Sequence, residues 1–219
     1  MELEFVSRFK TGELSVDRGA TIFLEGNHNP HLYTVLMGWA FRYKLLPDGR
    51  RQIVNYALPG DLVGLQGSLM GEMQHSVEAL TPVILCVFER EKLETLYRNH
   101  PDLAFDVTWL AAQQEQMLDE NLLSVGRRSA LERAAYVLAF LWSRASTVAP
   151  KHGRFELPVT QRHLADTLGL SLVHTNKTIA KLVERRLVRW NGGCEVLDLE
   201  SLQKIAKWSG MPDVQRPLV

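Results

Sequence analysis

The residues with the plainest chemical meaning are the cations. Residues 127–190 hold 12 Lys/Arg against 4 Asp/Glu, whereas residues 1–126 hold 10 against 17. The 219-residue chain is neutral overall, with 25 of each sign, so one half is acidic and the other basic. A clustered excess of Lys and Arg raises the local concentration of polyanions, and the division points to an acidic module joined to one that meets a polyanion.

The other reactive side chains form no set. His28, His31, His75 and His100 lie in the acidic half. The stretch Asn27-His28-Asn29-Pro30-His31 suggests a cupin-like small-molecule metalloenzyme. It lacks the paired His-x-His and following Glu that a metal in such a roll requires, and loop polarity explains it better. Cys86 and Cys194 cannot build a disulfide framework, and no Cys/His quartet has structural-zinc spacing. Cys86 reads as a small core residue, while Cys194 is a candidate exposed thiol. No Ser/His/Asp or Cys/His constellation can be assembled from the spacing. Binding is therefore expected, not catalysis.

Composition allows a folded, water-soluble chain. It is 46% hydrophobic and 23% charged, enough to bury a core without disulfides. The longest apolar run, Ala134 to Trp142, is about half of a membrane span. The start, Met-Glu-Leu-Glu-Phe, lacks the basic flank of a secretory signal. A cytoplasmic protein without a membrane partner is expected.

Three kinds of segment must position these residues. Up to residue 100, short apolar and β-branched runs (Ala20 to Leu24, Tyr33 to Met37, Trp39 to Leu46, Gln52 to Leu58, Val83 to Phe88) alternate with turns such as Pro47-Asp48-Gly49 and Pro59-Gly60-Asp61. They predict a small antiparallel barrel or roll. A short helix follows over Glu91 to Asn99, and Pro101 opens a long one that Gly126 ends. Leu103, Leu110 and Met117 recur every seven residues, with Val107 and Gln114 interleaved. A helix of about 24 residues is some 36 Å long, more than one small roll can cover. These five residues are therefore predicted to form a dimer seam.

Beyond Gly126, Ser129 caps a buried helix over Ala130 to Arg144, and Phe155 to Val159 reads as a short strand. Thr160 then caps a helix to about Leu168, Gly169 makes a turn, and Ser171 caps a helix to about Arg185. Leu187 to Trp190 and Cys194 to Leu197, joined by Asn191-Gly192-Gly193, form a hairpin. Helix, Gly turn, helix and hairpin make a winged helix-turn-helix, and it lies in the basic segment. The fold class is α+β, with a roll over 1–100, a dimerisation helix over 101–126 and a winged helix-turn-helix domain over 127–219.

The chain as a whole resembles the cyclic-AMP receptor / fumarate–nitrate reductase regulator (CRP/FNR) family. The motifs are Pro59-Gly60-Asp61-Leu62-Val63-Gly64, the long linking helix, and Leu164-Ala165-Asp166-Thr167-Leu168-Gly169-Leu170-Ser171. The resemblance implies a double-stranded β-helix roll of the cyclic-nucleotide-binding kind and a homodimeric regulator. Such a regulator binds a pseudo-palindromic operator in double-stranded DNA and works with RNA polymerase, as activator or repressor.

Carried over by position, Thr160, Gln161, Arg162, Ser171 and Lys181 bind phosphate. Leu172, Val173, His174, Asn176 and Lys177 face the bases, while Thr175, Ile179 and Leu182 are core. The family's usual Arg-Glu-x-x-x-Arg readers are replaced here by Leu172, Val173 and Lys177. Val173 cannot accept from cytosine but suits a thymine methyl.

The effector pocket departs further. The expected Gly64, Leu65, Gln66, Gln74 and His75 include neither the ribose Glu nor the phosphate Arg, since Leu65 follows Gly64 and Met73-Gln74 occupy the anchor stretch. A buried phosphate without a bidentate partner is expensive, so cyclic AMP is not the expected effector. No cofactor is predicted. The alternatives within this fold are a cyclic-nucleotide-responsive regulator and a haem-responsive one, the latter with His75 as ligand.

Overall fold

A computed structural model describes residues 9–148 and 155–211. Contacts divide the chain into two compact units, with the division inside one helix, between Met117 and Leu118.

The first unit is the roll. Its strands are β1 (Lys10–Val16), β2 (Thr21–Phe23), β3 (His31–Met37), β4 (Ala40–Leu45), β5 (Arg51–Ala57), β6 (Leu62–Val63), β7 (Ser76–Ala79) and β8 (Val83–Glu89). They form two four-stranded sheets, ordered β1-β8-β3-β6 and β2-β7-β4-β5. A short helix, α1 (Leu65–Met70), precedes β7, and α2 (Leu93–Asn99) follows β8. Between β4 and β5, Gly49 adopts φ 85° and Leu46 exchanges backbone hydrogen bonds with Gly49 and Arg50, at 2.9 Å each. This is the turn expected of Pro-Asp-Gly.

Strand periodicity then makes two cores. Tyr33, Val35, Val63 and Leu85 point between the sheets with Phe23, Met73 and Val77. Their neighbours Leu32, Leu62, Cys86 and Phe88 point to the other face. That second face is apolar too, and a helix must cover it. The long helix α3 (Pro101–Arg127) does so with Leu103, Ala104, Val107 and Leu110.

This corrects the predicted dimer seam. Leu103, Val107, Leu110 and Met117 are all buried within the chain, with Leu110 only 3% exposed. Gln114 donates from Nε2 to the Leu62 carbonyl (2.9 Å) and accepts from Arg42. Asn55 approaches the Met117 sulfur. The seven-residue repeat was real, but its partner is the roll's own outer face.

The second unit is built on α4 (Ala130–Val148). A Ser129/Glu132 capping box opens it, and Ala134, Ala135, Leu138, Ala139 and Leu141 are fully buried. Against it lie α5 (Gln161–Leu168), α6 (Leu172–Glu184), the hairpin β9 (Val188–Trp190) and β10 (Cys194–Val196), and α7 (Leu199–Ala206). Tyr136 stacks on Phe140 and meets Trp208 edge-on. Arg128, buried over the Tyr136 ring at 4.5 Å, donates to Ala206 O and to the Glu120 carboxylate. The strand expected over Phe155 to Val159 shrinks to a single bridge, Leu157 to Cys194. Among the described residues, no helix is long and apolar enough to cross a membrane.

Candidate nucleic-acid interface

Local chemistry fixes the two motif helices before packing does. Thr160 Oγ1 accepts from His163 N, and His163 Nδ1 accepts from Thr160 N, both at 3.2 Å, so His163 takes the place of the usual Glu in a capping box. At the other end Gly169 turns left-handed, with φ 64°, and the Gly169 and Leu170 N–H groups return to Ala165 O. Arg133 caps the same end by donating to Leu168 O (3.0 Å). Ser171 Oγ then accepts from His174 N to start α6. The caps at Thr160, Gly169 and Ser171 were legible in the sequence, whereas those of His163 and Arg133 were not.

One face of α6 is spent on packing. Thr175, Thr178, Ile179 and Leu182 are buried, as expected for three of the four. The other face is open: Leu172, Val173, His174, Asn176, Lys177 and Lys181 are exposed, Val173 at 66%. The five residues expected to face the bases therefore share one helix face over its first two turns, with no acid in the first turn. Ser171 is exposed as well, although its hydroxyl already serves as the cap.

On α5, Arg162 is exposed, Thr160 and Gln161 are half-buried, and Asp166 lies 3.6 Å from Arg162. Two further exposed cations, Arg185 and Arg186, follow α6, with Arg186 at φ 58°. The adjacent Arg-Arg pair was the signal for them. In the hairpin, Arg189 pairs with Glu195 at 2.9 Å across the strands. Cys194 is not the exposed thiol expected. It is fully buried, and burial with the nearby Glu156 and Glu195 pushes its thiol up to about 12. A thiolate there is disfavoured.

The expected effector residues come together only in part. Gly64 turns left-handed ahead of α1, and Leu65 packs against the core under α3. Gln66 Oε1 lies 3.0 Å from His75 Nδ1. Gln74 instead points outward, bonded to Glu72 O, and Met73 fills the space beside Gly67. His75 is 6% exposed, beside Phe23, and its Nε2 has no hydrogen-bond partner among the described residues. A haem does not fit this packing, because a porphyrin needs an open face at that nitrogen.

Burial, then the charges of Arg42 and Lys44, lower the His75 imidazole to about 3. Above the ordinary value of 6.5 both folded and unfolded chains hold it neutral, and its contribution to stability is complete. As pH falls below 6.5, only the unfolded chain takes the proton, so stability falls by about 1.4 kcal/mol per pH unit towards the folded value. Between pH 6.5 and 5.5, urea denaturation is expected to show a loss of about 1 kcal/mol that His75→Gln abolishes. An unchanged acid limb in the variant refutes this.

A capped helix pair, a Gly turn, a hairpin and an outward basic helix face, joined in one chain to a double-sheeted roll, define a DNA-binding transcription regulator. A cyclic nucleotide-binding domain model matches residues 13–100 and a Crp-like helix-turn-helix domain model residues 132–205. The nitrogen fixation regulation protein FixK of Bradyrhizobium diazoefficiens is 32% identical over 86% of this chain and 79% of its own. The transcriptional activator protein FnrL of Cereibacter sphaeroides is 27% identical over 84% and 75%. The structure of FixK2 from Bradyrhizobium japonicum superposes with a TM-score of 0.78 at 26% identity, covering 89% of this chain and 96% of that one. The chain belongs to the CRP/FNR family. It is a DNA-binding regulator, and the relatives it matches are named as transcription regulators, which favours this reading over the cupin-like alternative.

Proposed function

We propose that the protein is a cytoplasmic homodimer that reads a pseudo-palindromic operator with α6 and is not controlled by cyclic AMP. The observation that carries the reading is the open face of α6, where an apolar and cationic set is presented by a helix whose other face is fully packed. The N-terminal part of such a helix meets base edges. Thr160, Gln161, Arg162, Ser171 and Lys181 hold phosphate from the two helix starts and the flank of α6.

Dimerisation moves to another face of α3. Thr108, Ala111, Glu115, Leu118, Leu122 and Val125 recur at alternating spacings of three and four. They are exposed, except for the half-buried Ala111, and Leu122 reaches 74%. A second copy presents the same stripe and can pair with it about a two-fold axis. Half-sites about 34 Å apart follow from two such motifs, a spacing known for the cyclic-AMP receptor.

Cyclic AMP lacks an anchor, since Met73 is buried against Gly67, Gln74 faces outward and Arg42 is engaged with Leu62 O and Gln114. Relatives named as transcriptional activators support a role in activation, and RNA polymerase is the partner this role would require. Selection of bound duplexes from a random pool, followed by footprinting, tests the reading. A two-fold symmetric site is expected, bound equally with and without cyclic AMP. Failure to enrich any site, or tightening by cyclic AMP matched by calorimetric binding, overturns it.

A further inference from the structure

We infer that Val173 is a specificity residue that requires a thymine in each half-site through contact with its 5-methyl group; this rests on the proposed reading of DNA by α6. Val173 is the most exposed large apolar side chain of that helix, at 66%, and Leu172 beside it is exposed at 39%. The helix spends Thr175, Thr178, Ile179 and Leu182 on the core, so nothing in the described chain covers the Val173 isopropyl group.

Its surroundings select the occupant. Asn176 and Lys177, three and four residues on, share its face, and Lys181 continues the row. No acid lies in the first turn of α6. A cationic rim around an apolar centre suits a polyanion with an apolar feature on it, and an acidic or purely apolar partner protein fits less well.

In the major groove the apolar feature is the thymine methyl. Guanine and adenine present acceptors and donors there, and cytosine presents an amino donor. Val173 has no hydrogen-bonding atom and can read none of those. It can discriminate only by covering a methyl group or leaving it wet. Lys177, one turn on, carries a flexible cation on the same face, placed to meet a neighbouring guanine edge.

The test replaces each thymine of the selected operator by deoxyuridine, symmetrically in both half-sites, which removes the methyl and leaves pairing intact. Burying one methyl corresponds to about fourfold in affinity, so a symmetric pair of replacements at the contacted position weakens binding about fifteenfold. Val173→Ala is expected to bind the unmodified operator correspondingly less tightly and to be indifferent to deoxyuridine. Placing 5-methylcytosine opposite guanine at that position should bind better than cytosine.

Uniform binding of every deoxyuridine operator by the wild-type protein overturns the inference, and so does a deoxyuridine penalty that persists in Val173→Ala. Binding of random duplex at wild-type strength by Val173→Ala verifies that the variant folds. A wild-type protein that enriches no operator at all is instead the failure of the proposed function.

Discussion

A chain carrying Leu118→Glu and Leu122→Glu is expected to sediment as a monomer at 10 μM and to bind its operator at least about a hundredfold more weakly. In a paired α3 these side chains meet their own copies across the two-fold axis. Each substitution places two carboxylates face to face and exposes the apolar area they replaced. Without the dimer, the second half-site is no longer presented at high effective concentration, and the two- to four-decade gain of bivalency disappears. Folding of the single chain should be nearly unaffected, because Leu118 and Leu122 are already 38% and 74% exposed.

Leu110→Ala provides the contrast. It lies on the same helix, buried in the core of α3 and the roll, so it costs about 2–5 kcal/mol of stability. The pair of experiments separates the face that folds the roll from the face proposed to join two chains. Persistence of the dimer in the double-Glu variant, by sedimentation equilibrium, contradicts the assignment.

Lys177→Ala is expected to lose about 1–3 kcal/mol on the selected operator and much less on random duplex. Lys177 projects from the exposed face of α6, opposite the buried Ile179, and on the proposed reading its ammonium faces a base edge. Arg162→Ala should behave differently. Arg162 is exposed at the start of α5, with the Asp166 carboxylate 3.6 Å away. As a phosphate contact it serves every sequence alike, so operator and random affinities fall together and the salt slope drops by about one unit. Fluorescence anisotropy across a salt series measures both variants. Equal losses of Lys177→Ala on both duplexes would make Lys177 a phosphate contact.

Much of the DNA-binding unit was legible because its signals are local. Thr160, Gly169 and Ser171 each act through hydrogen bonds or backbone angles within four residues, and the structure places all three where the sequence predicts. Cap chemistry requires no knowledge of distant neighbours. The amphipathic spacing of Thr175, Ile179 and Leu182 is equally local, and it left the open face of α6 by subtraction. The helix Leu199–Ala206, with Asp198 as its cap, carried the same kind of signal but was not read from the sequence.

In the roll, β1 was missed because Lys-Thr-Gly-Glu-Leu-Ser-Val is mostly polar and lies at a sheet edge. The strands β6 and β7 have two and four residues, too few for a period to register. Their existence depends on partners far along the chain, β6 on β3 and β7 on β2 and β4.

The sequence by itself determined that a roll and a long helix, acidic together, are followed by a basic winged helix-turn-helix, and which face of α6 is core. Only the tertiary structure decided which side of α3 is spoken for. A seven-residue apolar repeat states that a helix face is buried but not against what. The outer face of β3, β6 and β8 claimed Leu103, Val107 and Leu110, and Gln114 found Leu62 O. Tertiary packing likewise made His75 a buried neutral imidazole and Cys194 a buried thiol. Desolvation is set by atoms brought from elsewhere in the chain, and no spacing in the sequence records it.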